Sequence, residues 1–430
     1  MKQKRLVTVV GCLLLAVLMA RPARGDGPLS EAINAVIQGV DYKHAHWGIL
    51  VVDLESGETV YELNADKLFA PASTTKLFSV ATALDALGVD YRFRTPIYRR
   101  GDVDEAGQLR GDLILVASGD LSMGGRTDRD GHIAFKDSDH TYANGNETAE
   151  LTEPDPLAGL TELARQVAAA GIKRVRGDVL IDDRLFEKAE GSGSGPARLT
   201  PIIVNDNVID LLIAPTTAAS PATVTWRPVS AAYRIDAQVE TVETGKETRV
   251  QVLPAGAGRI VVRGEIAAGH KPLVRVHEVD DAASFARALL IESLQRAGVV
   301  VDPSPLVANR AESLPSREAC ANLPQIAQLE SPPFAESARL ILKVSHNLHA
   351  STLPLLVAAK HGKRSLADGL HLQHDFLARS GVDVDTISFG GGAGGSRADY
   401  TTPRATVQLL RHMATRPDFE SYEAALPVLG

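Results

Sequence analysis

The chain of 430 residues is poor in several things, and each shortage closes off a class of protein. It has two cysteines, Cys12 and Cys320. Cys12 lies in a short N-terminal leader-like stretch, so the remaining chain keeps one thiol and cannot form an internal disulfide. Basic charge is also scarce. The net charge is −8, and taking away the five basic residues of positions 1–25 (Lys2, Lys4, Arg5, Arg21 and Arg24) moves it to −13. An acidic body of this kind argues against a general nucleic-acid binder. Beyond position 25 no apolar run is long enough to span a bilayer, and no internal repeat is visible. Composition is otherwise ordinary for a globular protein, at 44% hydrophobic and 23% charged. The length allows a sizeable core and more than one domain.

Residues 1–25 read as a secretory signal: a basic start "MKQKR", the apolar run "LVTVVGCLLLAVLMA", and small residues at Ala23 and Gly25. That run is short for a membrane span. Eight further apolar residues follow Cys12, which argues against a lipoprotein cysteine there. The mature chain is expected to be periplasmic or otherwise extracytoplasmic, with at most peripheral membrane association.

The segment 46–66 reads as a hairpin around "ESGE", and 73–88 as a helix with Leu77, Val80, Ala81, Leu84 and Leu87 on one face and Gly88 ending it. From 96 to about 330 short apolar runs alternate with Gly, Pro, Asn and Asp. "GDLILVAS", "GDVLIDD", "TPIIVND", "VIDLLIAP", "ATVTWRP" and "GRIVVRGEI" read as strands. Two helices stand among them, "LAGLTELARQVAAAG" and "ASFARALLIESLQRAG". Residues 124–156 are polar and read as a surface excursion, and 190–196 as a flexible loop. From 331 helical texture returns. "ARLILKVSHNLHASTLPLLVAAKHG" reads as helices around a short break, and Thr402 and Pro403 suit the start of a last helix. The parse is 1–25 signal, 26–95 first part of a domain, 96–330 strand-rich insertion, and 331–430 second part of the same domain. The inserted lobes are expected to contribute little to the chemistry.

Three short motifs carry that chemistry. Ser73 and Lys76 sit three apart at a helix start, so hydroxyl and amine share one face. A lysine whose pKa is lowered can deprotonate a serine. Ser345, His346 and Asn347 give S-x-N, a second hydroxyl for proton relay and an amide for a carbonyl. Arg397 lies between a glycine run and a helix start, where it could take a carboxylate. Gly390, Gly392 and Gly395 spell G-x-G-x-x-G, but the helix begins near Thr402, too late for a dinucleotide site. His371 and His374, near Asp368, read as solvent-facing helix residues rather than metal ligands, and no cofactor is implied.

"PASTTKLFSVATALDALG" followed much later by "SHNLHA" resembles the active-serine penicillin-binding proteins and β-lactamases. The 272 positions between Ser73 and Ser345 place the resemblance with the low-molecular-mass class C penicillin-binding proteins, which are D-alanyl-D-alanine carboxypeptidases and endopeptidases. "LVASGDLSM", "GDVLIDDRLF", "GGAGGSRADYTTP" and "ALPVLG" are similar to further stretches of that family. The long insertion is foreign to β-lactamases. The resemblance implies an α/β fold with helices on an antiparallel sheet, split by the insertion. It implies Ser73 as nucleophile, Lys76 as base, Ser345 as proton relay and Asn347 as holder of the acyl side chain. Asp182 or its neighbour Asp183, with Phe186 and Arg397, would line the pocket for the peptide stem. Peptidoglycan stem peptides would be substrates and β-lactams inhibitors. The sequence departs from the family at Gly391 and Ala393, where D-G-S-G has aspartate and serine, and at Leu121 and Ser122, where proline and threonine are usual. K-T-G is absent; Lys360-His361-Gly362 falls too soon after Asn347. The expectation is a chain cut short before K-T-G, and the alternative to a peptidase is an incomplete or non-catalytic peptidoglycan-binding relative.

Overall fold

The structure, a computed structural model, describes residues 27–428 except 257. The signal reading at 1–25 lies outside the described residues. Helix α1 (Pro28–Ile37) leads to an antiparallel pair, β1 (Ile49–Val52) and β2 (Thr59–Leu63). Their turn is the expected one: Gly57 has φ 75°, and the Asp53 carboxylate accepts from the Ser56 N–H at 2.7 Å. Helix α2 (Thr75–Leu87) follows and stops at Gly88, whose φ of 93° suits glycine.

The middle of the chain builds three further sheets and a small hairpin. β3 (Arg94–Val103) and β4 (Gln108–Val116) pair antiparallel. β5 (Arg174–Val175) and β6 (Val179–Asp182) add to β4 in parallel, after helix α3 (Ala158–Ala169). β7 (Ala189–Glu190) and β8 (Arg198–Leu199) close a hairpin. β9 (Val208–Ala214) lies between β11 (Thr223–Arg227) and β15 (Leu273–Glu278). β10 (Ser220–Pro221), β12 (Arg234–Val242), β14 (Arg259–Ala267) and β13 (Arg249–Pro254) follow one another in a fourth sheet, where β12 and β14 run parallel. Helix α4 (Ala282–Arg296), β16 (Val300–Val301), α5 (Arg317–Ala321) and β17 (Gln325–Glu330) end this part, with β17 back against β3.

Five helices complete the chain: α6 (Phe334–Val344), α7 (Asn347–Lys360), α8 (Leu366–Arg379), α9 (Pro403–Ala414) and α10 (Phe419–Ala425). The expected break falls at Ser345–His346. Thr402 caps α9 by accepting from the Ala405 N–H at 3.1 Å. The apolar interior has two main clusters. The larger gathers side chains from Ile97 to Ala327 around α3 and α4. The other packs α2 against α6, α7 and α8, with Leu121, Phe186, Leu199 and Ile203 joining from the middle segment.

Several readings change. α2 does not bury one face: Thr75, Lys76, Phe78, Ser79, Val80, Ala81, Thr82, Ala83 and Leu84 are all buried, because helices surround it, while Leu77 and Leu87 are half-buried. "TPIIVND" is not a strand. Asn205, Asp206 and Asn207 all take positive φ (50°, 52° and 55°), a turn that Asn and Asp tolerate better than other side chains. Residues 124–156 are not all surface. Arg126, Asp139, His140 and Thr141 are buried, since polar groups that bond one another can leave water together.

Arg287 on α4 is 1% exposed. Its guanidinium donates to the carbonyls of Val179, Ser304 and Val307 and to Asp178 Oδ1 at 2.6 Å. Arg287→Met strands the buried Val179 carbonyl and takes one cation from the buried Asp178 carboxylate, and we expect a loss of about 3 kcal/mol in urea unfolding. A stability within about 0.5 kcal/mol of the parent would contradict this role of Arg287.

Candidate active site

Ser73 sits in a 3-10 turn, Ala72–Thr74, that runs into α2. Its side chain is exposed, whereas Lys76, one turn on, is 1% exposed. The buried amine has three oxygen neighbours: Ser73 Oγ at 3.0 Å, Asn347 Oδ1 at 2.7 Å and the Ala393 carbonyl at 2.9 Å. Burial disfavours the ammonium and lowers the Lys76 pKa to about 8. Ser345 Oγ donates to Ser73 Oγ at 2.8 Å. The serine hydroxyl therefore touches both the amine and a second hydroxyl.

Close backbone approach explains the glycine run 390–395. The Gly392 carbonyl accepts from Ser79 Oγ at 2.8 Å. A Cβ on Gly392 would lie 2.0 Å from the Ala350 carbonyl oxygen, on the turn of α7 that Pro354 leaves without its usual N–H partner. A Cβ on Gly394, where φ is 88°, would meet the Ala72 carbonyl oxygen at 1.7 Å. Only glycine allows the run to slide between α2 and α7 and present the Ala393 carbonyl to Lys76.

Ser345 adopts the left-handed conformation (φ 60°, ψ 43°) between α6 and α7. Tyr142, from the middle segment, holds that turn. Its hydroxyl donates to the Ser345 carbonyl at 2.5 Å and accepts from the Asn347 N–H at 2.9 Å. The Asn347 amide nitrogen donates to the Ser194 carbonyl at 3.0 Å, so loop 190–196 packs across the site. The sequence reading missed Tyr142 and Ser194. The pattern Asp139-x-Thr141 was a usable signal, because Asp139 caps the turn that delivers Tyr142.

Ser73, Lys76, Ser345 and Asn347 thus come together. Arg397 is exposed on the same glycine loop and makes no hydrogen bond among the described residues. Asp182 and Phe186 are placed differently. Asp182 is 2% exposed and bonds the Arg184 guanidinium through both oxygens at 2.8 Å; Phe186 is 1% exposed in the apolar interior. As placed, neither presents a face to a ligand: one is ion-paired and the other is core. Asp183 pairs with Lys188 at 2.9 Å. Cys320 is buried, and burial pushes its thiol up. His371 and His374 are exposed on α8.

A cluster with metal-ligand chemistry lies elsewhere. Asp206, His346 and His349 bring carboxylate and imidazole atoms within 4.8 Å of one another. The donor set does not fit a resident divalent ion. Asp206 already bonds Arg126, His140 and His349. In the surrounding group, Asp139, Asp206 and Asp210 are balanced by Arg126, Arg227 and protonated His140. A further double charge would have no counterpart.

Lys76 also carries a test independent of activity. The folded pKa, about 8, lies below the ordinary lysine value of 10.5, so the unfolded chain holds this proton more tightly. Its contribution to stability is therefore flat below pH 8 and rises between about 8 and 10.5. We expect the native chain to gain up to about 3 kcal/mol on Lys76→Met across that window. Parallel stability–pH curves for the two proteins would contradict the burial of the amine.

The profile of the D-Ala-D-Ala carboxypeptidase 3 (S13) family matches residues 29–430. A D-alanyl-D-alanine carboxypeptidase from Actinomadura sp. is 26% identical over 447 residues, spanning 99% of this chain and 76% of the relative. D-alanyl-D-alanine carboxypeptidase DacB of Haemophilus influenzae is 22% identical over 442 residues, spanning all of this chain and 82% of the relative. The crystal structure of penicillin binding protein 4 (dacB) from Haemophilus influenzae superposes with a TM-score of 0.65 at 19% identity, covering 89% of this chain and 78% of that one. The fold is thus the mixed α/β fold of that structure.

Proposed function

The chain belongs to the D-Ala-D-Ala carboxypeptidase 3 (S13) family, a serine-peptidase family, and on that premise we propose that Ser73 is the residue its substrates and β-lactams acylate. The observation that carries the assignment is the double contact of Ser73 Oγ, 3.0 Å from Lys76 Nζ and 2.8 Å from Ser345 Oγ. The substrates are peptidoglycan stem peptides ending in D-Ala-D-Ala, and cross-links of the same chemistry.

The geometry supports the following steps. Neutral Lys76 accepts the Ser73 proton as Oγ attacks the carbonyl carbon of the penultimate D-Ala. The pKa near 8 leaves a useful share of neutral amine at physiological pH, and among the described residues no carboxylate adjoins it to hold the proton. The developing oxyanion is drawn to the Ser73 N–H at the start of the turn into α2. Ser345, bonded to Ser73 Oγ, passes the proton from Lys76 to the leaving amine of the terminal D-Ala. The C–N bond breaks and an ester to Ser73 remains. Water, deprotonated by the same amine, then hydrolyses the ester. The Asn347 amide, now bonded to the Ser194 carbonyl, offers its N–H to a stem-peptide carbonyl, and Arg397 offers a guanidinium to a carboxylate on the stem.

Ser73→Ala is expected to abolish covalent labelling by a fluorescent penicillin and release of D-Ala from a stem pentapeptide. Full labelling of that variant would remove Ser73 from its role.

We place the mature protein outside the cytoplasm, exported through its basic and apolar N-terminus. Among the described residues no helix is long and apolar enough to cross a membrane. Edman sequencing of the protein recovered from cells should begin just past the Ala23–Gly25 region. A mature N-terminus at Met1 would defeat the assignment.

A further inference from the structure

Behind the Ser345–Asn347 turn lies a buried ionic network that no step above uses. Arg126 is at its centre. It donates to both oxygens of Asp139, at 2.8 and 3.1 Å, and twice to Asp206 Oδ2, at 3.0 and 2.7 Å. His140 stands between two carboxylates, with Nε2 2.8 Å from Asp206 and Nδ1 2.5 Å from Asp210. Burial opposes charge on this ring, but Asp210 and Asp139 outweigh it and raise the pKa to about 10. Asp210 also accepts from Arg227 at 3.0 Å. On the other side, Asp206 Oδ1 accepts from His349 Nε2 at 2.7 Å. The His349 ring stacks on His346 at 3.8 Å between centroids, and His346 Nδ1 caps α7 by accepting from the His349 N–H.

Every member from Arg126 to Asp210 comes from the middle segment, whereas His346 lies in the site turn and His349 just past it. A network built only for stability could be replaced by apolar packing at no loss. This one runs to the turn on two routes. One goes through the two histidines to the start of α7. The other goes through Asp139, which caps residues 140–142 and so aims the Tyr142 hydroxyl at the Ser345 carbonyl and the Asn347 N–H. Ser345 is the residue that needs this. It holds a left-handed conformation without being glycine, which requires outside support.

We propose that Tyr142, aimed by the Arg126–Asp139–Asp206 cluster, is a positioning residue of the middle segment for the Ser345–Asn347 turn, so that the inserted lobe is part of the acylation machinery. The proposal rests on the roles given above to Ser345 and Asn347, and it reverses the expectation that the lobes contribute little.

The test is Tyr142→Phe in the full chain, which removes one hydroxyl and keeps the ring. Asp206→Asn is its companion, since asparagine fits the positive φ and the same space. Hydrogen exchange of peptides covering 342–351 should speed up about 10-fold or more in Tyr142→Phe, with the rest of the chain unchanged. The rate of the acylation step with benzylpenicillin should fall about 10- to 100-fold. Non-covalent affinity should stay within about threefold, and the ascending limb of the pH–rate profile, set by deprotonation of Lys76, should keep its position. Asp206→Asn should give the same local pattern. Unchanged exchange and rate would overturn the proposal. So would faster exchange throughout the chain, which marks a general stabilising residue. If the parent protein itself is not acylated, the peptidase reading fails, and local exchange at 342–351 still decides the positioning role.

Discussion

One buried amine dictates the layout of the site. Removing an ammonium from water costs several kcal/mol unless its hydrogens find partners. Lys76 finds three, one local and two distant in the chain: Ser73 one turn away, Asn347 271 positions on, and Ala393 317 positions on. Each brings a requirement. Ser73 must face solvent while Lys76 does not, so it sits in a 3-10 turn ahead of α2 rather than within the helix. Asn347 must be the first residue of a helix pointed at α2, which fixes the crossing of α7. Ala393 must bring its backbone to the amine, which only a glycine-rich loop can do beside the Ala72 and Ala350 carbonyls. The incomplete solvation left over is useful, because it lowers the pKa to about 8.

The parts of this that local sequence could reveal are those with a short period or a cap. Ser73 and Lys76 are one turn apart, and α9 carries its expected start, with Thr402 as cap and Pro403 as first residue. The break at Ser345–His346 also showed, as a polar triplet between apolar runs. Burial all round α2 did not show. A lysine among Thr, Ser and Ala reads as the wet face of an amphipathic helix, and nothing local says that α6, α7 and α8 will cover it. Parallel pairing of β4 with β6, and of β12 with β14, was equally hidden, because a short apolar run does not state its partner's direction.

The polar stretch around 124–156 failed for a deeper reason. Arg126, Asp139 and His140 look solvated when counted along the chain, and Asp206 sits in what resembles a strand. Their charges cancel only in three dimensions, across 80 positions between Arg126 and Asp206. A sequence rule that sends charge to the surface is right for single residues and blind to sets that neutralise each other. Besides the Asp139-x-Thr141 cap, the local hint was Asn205-Asp206-Asn207, three residues that share a tolerance for positive φ.

The middle segment and the site form one continuous polar structure. Arg227 bonds Asp210, Asp210 bonds His140, His140 bonds Asp206, Asp206 bonds Arg126, and Arg126 bonds Asp139. Asp139 caps the turn of Tyr142, Tyr142 bonds the Ser345 carbonyl, and Ser345 bonds Ser73. Acids and cations alternate along the charged part, so removing any one leaves an uncompensated charge out of water. The neighbours then have to move, since a buried unpaired charge costs more than a shifted loop. Such an arrangement tolerates little slack, and that stiffness is what a non-glycine residue held at φ 60° requires of its surroundings.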